Sequence, residues 1–181
     1  MIESILRKIS DRLPVRVIER TDGITYLERY YLFKFWRWTA FLHRFVSSDP
    51  EGETHDHPWT SISFILTGKY LETRWLGGEY VKFERKWFNL VKGETFHHVD
   101  LYETDVKIPG IQQEVPVWTL FIHGRRFKRW GFLRQFQVSS GPDSQGFYTY
   151  TPVPRGKFSD VGWQKTAFLG RDRQPKDHAG V

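Results

Sequence analysis

The chain has 181 residues, 39% of them apolar and 17% aromatic, with no cysteine and a formal net charge of +6. That length suits one domain with a sizeable core, and the aromatic share favours strands over a helix bundle and excludes disorder for most of the chain. The lack of cysteine excludes a disulfide framework and any thiolate-ligated zinc or iron–sulfur site, so a metal would have to be held by imidazole or oxygen.

The basic balance admits an anionic partner: nucleic acid, phosphate or carboxylate. Lysine and arginine are spread along the chain, however, and a solvated basic surface is the default reading. The densest cluster is Arg125, Arg126, Lys128 and Arg129. No apolar run approaches the roughly 18 residues that span a bilayer. The first thirteen residues hold no continuous apolar stretch, so the expectation is a cytoplasmic protein with no signal peptide and no membrane partner.

In chain order, Ile2, Ile5, Leu6, Ile9 and Leu13 recur at helical spacing and predict a short amphipathic helix over residues 2–12, stopped by Pro14 and packed on the body of the protein. From Val15 the pattern changes to strand formers, with Asp22-Gly23 as a turn. Residues 38–46 predict another strand, and residues 47–52 a loop. Strands are expected over 57–66, 69–75, 80–86, 87–91 and 95–102, with turns at Gly68, Gly77-Gly78 and Gly93. An exposed connection around Pro109-Gly110 leads to an apolar strand over 115–123. A last strand is expected over 132–138. Past Ser139 the Gly, Pro and Ser content predicts little regular structure, and the polar stretch from Arg171 is expected to be disordered. The organisation is one domain over residues 1–138 with an irregular extension over 139–181. Many short strands with frequent turns predict an all-β sandwich or barrel.

The chemistry concentrates in His55-Asp56-His57 and, some forty residues later, His97-His98. Side chains alternate along a strand, so His55 and His57 share a face while Asp56 takes the other. Both imidazoles can then reach one ion, and His97 from a neighbouring strand completes a three-histidine site with open positions. His98 has the opposite parity and should point away. Trp59, Ser61 and Ser63 continue the parity of His57. Trp59 reads as core packing, and Ser61 could hold a metal-bound water or fill space. Of His43 and Arg44 only one can point inward, and an inward Arg44 would fork onto a carboxylate or phosphate. His123, at the end of a strand, is a candidate acid or base, or an extra ligand. No Walker or dinucleotide glycine loop, no Gly-x-Ser-x-Gly elbow and no cysteine nucleophile is present.

These residues resemble the cupin superfamily. Gly52, the His55-x-His57 pair and Gly68 are similar to its first motif, with Ser61 standing where a glutamate is usual. Gly93 to His97 resembles its second motif, with Val91 in place of the proline and Leu101 near the place of the terminal asparagine. His55 to Trp59, His97-His98-Val99, Trp118 to Phe121 and Trp130 to Phe132 also resemble a functionally unassigned bacterial and phage group of cupins. The resemblance covers about residues 25–135 and implies a double-stranded β-helix jelly roll, with a short N-terminal helix and an irregular C-terminal tail. It also implies His55, His57 and His97 as metal ligands, and pairing of two chains through edge strands.

With Ser61 replacing the carboxylate, three neutral imidazoles would leave a divalent charge open to an anionic substrate. Three-histidine iron sites of this kind resemble those of thiol dioxygenases. The two-His-one-carboxylate oxygenase triad needs Asp or Glu where His57 stands. The favoured expectation is therefore an Fe(II) oxygenase, dioxygenase-like, acting on a small anionic molecule. Arg44, Ser61 and His123 would assist, and zinc, manganese or nickel are the other candidate metals. A metal-assisted isomerase, epimerase or lyase on a sugar or keto acid is the alternative enzyme. A non-enzymatic cupin that binds a small ligand or nucleic acid is the third reading.

Overall fold

Aromatic and β-branched residues at alternate positions, broken by short turns, build two antiparallel six-stranded sheets. A computed structural model describes residues 1–20, 23–50, 53–104, 113–137, 146–154 and 163–173. Helix α1 (Ile2–Ser10) precedes β1 (Val15–Glu19), β2 (Thr25–Phe35), β3 (Trp38–Phe45), β4 (Thr54–His55), β5 (Ser61–Thr67), β6 (Tyr70–Leu76), β7 (Glu79–Arg85), β8 (Phe88–Val91), β9 (His97–Leu101), β10 (Val117–His123), β11 (Gly131–Gln137) and β12 (Gly146–Pro152). One sheet runs β1-β2-β3-β10-β5-β8 and the other β12-β11-β4-β9-β6-β7. From β3 to β6 and again from β7 to β11 successive strands alternate between the sheets in the jelly-roll manner, which is the double-stranded β-helix that the resemblance implied.

Between the sheets, Ile65, Tyr70, Val99, Leu101 and Val117 form one core cluster, and Phe41, Trp59 and Phe121 form another. A third cluster joins Leu6 of α1 to Val15, Tyr30, Leu42 and Trp118. Tyr30 and Trp118 are fully buried and stack at 5.9 Å between centroids. The helix docks through Leu6 and Ser10 alone, while Ile2, Ile5 and Ile9 stay exposed.

The segment past Ser139 contributes more regular structure than its composition suggests. Phe147, Tyr148, Thr149 and Tyr150 are strand formers, and β12 pairs with β11 along its whole length. Beyond it, Trp163 stacks on Phe41 at 6.4 Å, and the Val15 and Gly170 N–H groups donate to Phe168 and Leu13 carbonyls at 2.9 Å. The polar stretch 174–181, Asp22, Gly52 and the Pro109-Gly110 connection lie outside the described residues. Among the described residues, no helix is long and apolar enough to cross a membrane.

Candidate metal centre

His55, His57 and His97 meet at one end of the sandwich. His55 lies on the two-residue strand β4, opposite His97 on β9 and Phe132 on β11. His57 is not on a strand, although a strand was expected from residue 57. The chain leaves the sheet after His55 because Pro58 has no N–H for a ladder and Asp56 is drawn to β11. The Asp56 N–H donates to the Gly131 carbonyl at 3.1 Å, and the Gly131 N–H donates back to Asp56 Oδ1 at 2.7 Å. Lys128 also pairs with this buried carboxylate. Asp56 thus faces away from its two neighbours, and the expected alternation survives without the strand.

Two glycines permit this path. A Cβ at Gly131 would run into the Thr151 backbone, and one at Gly93 would sit 3.0 Å from the His57 carbonyl. The His57 N–H donates to the Gly93 carbonyl at 3.3 Å, which ties the two motifs together.

The ring centroids form a nearly equilateral triangle: 5.0 Å from His55 to His57, 5.2 Å from His55 to His97 and 5.0 Å from His57 to His97. One donor atom from each ring lies within 4.8 Å of the others. His57 Nε2 and His97 Nε2 are 2.8 Å apart. For metal–nitrogen bonds of about 2.0–2.1 Å, adjacent octahedral corners are about 2.9 Å apart and tetrahedral ones about 3.4 Å. His55 Nδ1 lies 3.2 Å from the Glu53 carbonyl, which leaves Nε2 for the common centre. Burial, then the mutual repulsion of the rings, drives the pKa of His57 well below the ordinary imidazole value. Burial also lowers that of His55, against the opposing pull of Asp49. Neutral imidazoles with converging lone pairs are the form a divalent cation requires, and the donor set fits such an ion.

Behind His97 stands a residue that the sequence reading missed. Glu72 on β6 is fully buried, and its Oε1 lies 2.9 Å from His97 Nδ1, in a contact bent away from the N–H axis. Burial raises the Glu72 pKa, but hydrogen bonding and charge from His97, then bonds from Asn89 and Arg74, outweigh it and hold the value at about 2. Arg85 Nε donates to Oε2 at 2.8 Å, and Arg74 Nε lies 3.0 Å from it. A carboxylate behind a histidine ligand orients the ring and raises its basicity. It also places a negative charge near the centre, so the ion would not rest on neutral groups alone.

The other sequence candidates lie elsewhere. Arg44 is buried, with NH1 3.2 Å from Glu28 Oε1 and its guanidinium 5.8 Å from the Trp118 ring centre. It is His43 that shares the interior face, stacked on Phe121 at 4.5 Å. His123 stacks on Trp59 at 4.1 Å, with Nδ1 2.8 Å from the Gly124 carbonyl. Ser61 is buried, opposite Val91 and His123 in the ladder. His98 does point away from the cluster: Nδ1 is 3.2 Å from Thr54 Oγ1, and Nε2 is 3.4 Å from Asp100. In the basic cluster, Lys128 binds Asp56, and Arg129 donates to the Val153 carbonyl at 3.0 Å.

A cavity of about 520 Å³ opens beside the cluster, with His55 and His57 in its wall. Trp59, Trp130 and Phe132 supply aromatic walls, and Arg16, Arg29 and Arg134 supply cations. Arg44, Ser61 and His123 are not among the described residues that line it.

No protein-family model matches the chain, and no curated protein matches it. Solved structures do. One is Fe(II)-HppE with an alternative substrate (TM-score 0.45, 12% identity, 64% of this chain and 57% of that one). Another is an oxalate decarboxylase variant from Bacillus subtilis (TM-score 0.44, 9% identity, 64% of this chain and 28% of that one). A third is a cupin superfamily protein from Desulfitobacterium hafniense (TM-score 0.37, 12% identity, 61% of this chain and 83% of that one). The chain spans less than two thirds of the length of the first of these. These neighbours are cupin-fold proteins, and this chain is similar to them in fold.

Proposed function

We propose that this chain is a metal-dependent cupin enzyme acting on a small anionic molecule, and that its concrete form is an Fe(II) oxygenase. One observation carries the reading: three imidazoles converge beside a cavity, with two ring nitrogens 2.8 Å apart and a buried carboxylate behind one of them. His55, His57 and His97 would hold the ion. When bound, the ion would supply Lewis acidity and, as iron, one-electron chemistry with oxygen. Glu72, 2.9 Å from His97 Nδ1, would favour the tautomer of His97 in which Nε2 presents a lone pair. Glu53 does the same for His55 through its carbonyl. Trp59, Trp130 and Phe132 exclude water from the cavity side, which strengthens every electrostatic contact within it. The arginines of the wall favour a substrate of negative charge.

Metal analysis of protein purified without chelator or affinity tag tests this reading. Stoichiometric iron, together with oxygen uptake on adding substrate, is the expected result. Zinc, manganese or nickel without oxygen consumption would move the chemistry to a Lewis-acid isomerase, epimerase or lyase. Failure to take up any of these four ions on reconstitution would overturn the metal reading altogether.

A further inference from the structure

We infer that two copies of this chain pair through the outer face of the first sheet, the one that runs from β1 to β8. The pairing is independent of the metal reading. The ladder shows how the face is built. Phe33 on β2 is opposite Ala40 on β3, and Ala40 is opposite Ile122 on β10. Ile122 is opposite Ile62 on β5, and Ile62 is opposite Leu90 on β8. The next row runs from Leu120 to Phe64 to Phe88. Phe35 and Trp38 pair at the end of the β2–β3 hairpin. Side chains alternate along a strand, so these point away from the core, toward which Phe41, Ser63, Asn89 and Phe121 turn. Every position in the rows is apolar.

An antiparallel sheet with one solvated face carries polar residues on that face. The second sheet follows this rule: Thr73 on β6 stands between Lys82 and His98, and Leu71 between Glu84 and Asp100. The first sheet breaks it. Helix α1 covers part of its outer face, where Leu6 joins Leu42 and Trp118 in one cluster. The remainder is bare: Phe64 is 42% exposed, Trp38 47%, Leu90 48%, Phe33 57%, Phe88 60% and Phe35 73%.

Area and charge select the occupant. At about 150–250 Å² per aromatic side chain, the exposed fractions of the five rings come to roughly 400–700 Å². Monomeric proteins rarely expose an apolar patch larger than a few hundred Å². A standard interface takes about 800 Å² from each partner, and the aliphatic side chains between the rings supply the difference. The chain carries a net charge of +6, so a second copy is repelled wherever cations meet. A face built without charge is the one that another copy can approach, and across a two-fold axis it meets its own shape. Two such faces would pack as the sheets of a sandwich do, about 10 Å apart. An acidic protein or an anionic membrane would instead draw on cations beside the apolar groups, and none stands in these rows. His55 and His97 belong to the second sheet, so the pairing leaves the metal centre and its cavity uncovered.

The test is sedimentation equilibrium of the full chain at about 1–100 μM. Wild type is expected at twice the 21.6 kDa of one chain. Phe88→Glu puts a charge into the centre of the contact and should weaken self-association by about 100-fold or more, with a cooperative melting transition retained. Lys82→Glu, on the outer face of the other sheet, should stay dimeric. A monomeric wild type overturns the inference, and so does a dimer that survives Phe88→Glu or is lost equally in Lys82→Glu. Monomeric wild type that floats with phosphatidylcholine–phosphatidylglycerol vesicles would give the face to a membrane instead. If Phe88→Glu loses its cooperative melt, Phe35→Ser at the exposed hairpin end carries the test. It should weaken the dimer by about tenfold, and undiminished self-association counts against the inference.

Discussion

Two groups of histidines lie between the sheets of this protein, and they are built differently. In the first, His55, His57 and His97 turn their ring edges toward one point, with two nitrogens 2.8 Å apart. In the second, His43 and His123 turn their faces to aromatic rings, at 4.5 Å from Phe121 and 4.1 Å from Trp59. His43 and His97 are buried, and His55, His57 and His123 are half-buried. Edge-on convergence leaves lone pairs that a cation can satisfy, whereas face-on stacking satisfies the ring through dispersion and the quadrupole of its neighbour. Burial alone therefore does not identify a ligand, and the direction of the nitrogens does.

The largest expected effect separates the two groups outright. His57→Ala should abolish retained metal, because two ligands remain and one of them, His97, loses its 2.8 Å neighbour. His123→Ala should leave metal content unchanged and lower stability through lost packing on Trp59. Elemental analysis of the two purified variants checks both, and metal loss in His123→Ala would merge the groups that the geometry divides.

Glu72 sharpens the contrast from behind. Glu72→Gln should weaken metal binding by about 10–100-fold, the range for loss of a carboxylate that orients a histidine ligand. It should also lower the melting temperature, since Arg74 and Arg85 lose their shared anion. With a folded pKa of about 2, against an ordinary value near 4.5, Glu72 contributes stability that is fully present above about pH 4.5 and lost as pH falls toward 2. Wild type should show this loss in urea melts across that window, and Glu72→Gln should not.

How much of this was readable from the chain depends on which residues are concerned. Parity along a strand identified His55 and His57, preferred His97 to His98 and set Asp56 apart, because alternation is a local property that needs no partner. Glu72 was invisible to the same reasoning. A charged residue in mid-strand reads as solvent-facing, and only pairing between strands reverses that. The β6–β9 register sets Glu72 opposite Val99 and Arg74 opposite His97, which turns the carboxylate inward beside the ring. Arg44 misled for the complementary reason: β3 is covered on its outer face by α1 and by the segment ending at Arg173, so an outward arginine is also buried, against Glu28. The strand β12 hid in a Gly- and Pro-rich context, with Phe147, Tyr148 and Tyr150 as the signal that was there to be read.

The stacked group has a pH signature of its own. His43 is held neutral by burial, then by the charges of Arg29 and His123. Its folded pKa lies below the ordinary value near 6.5, so as pH falls through about 6.5 the unfolded chain takes up a proton that the folded chain refuses, and stability drops. In metal-free protein His55 and His57 act in the same direction. His43→Gln, whose carbonyl can still accept from Arg29 Nε, should reduce the loss of stability between pH 7 and pH 5 without removing it. An unchanged slope would assign the whole effect to the metal-site imidazoles.

The smallest expected effect concerns His98, next in sequence to the proposed ligand His97 but turned to the other side of β9. Its pKa is raised by a hydrogen bond to Asp100, against the opposing pull of partial burial. Its contacts are that acid at 3.4 Å and the Thr54 hydroxyl at 3.2 Å. A partly exposed pair of this kind contributes about 0–1 kcal/mol. His98→Ala should therefore keep its metal and shift stability by no more than about 1 kcal/mol. The loss should appear below the raised folded pKa, where the imidazolium exists, and vanish above it. Bound metal lost in His98→Ala would mean that β9 can present either histidine to the centre. The parity that picks His97 over its neighbour would then not be what defines the site.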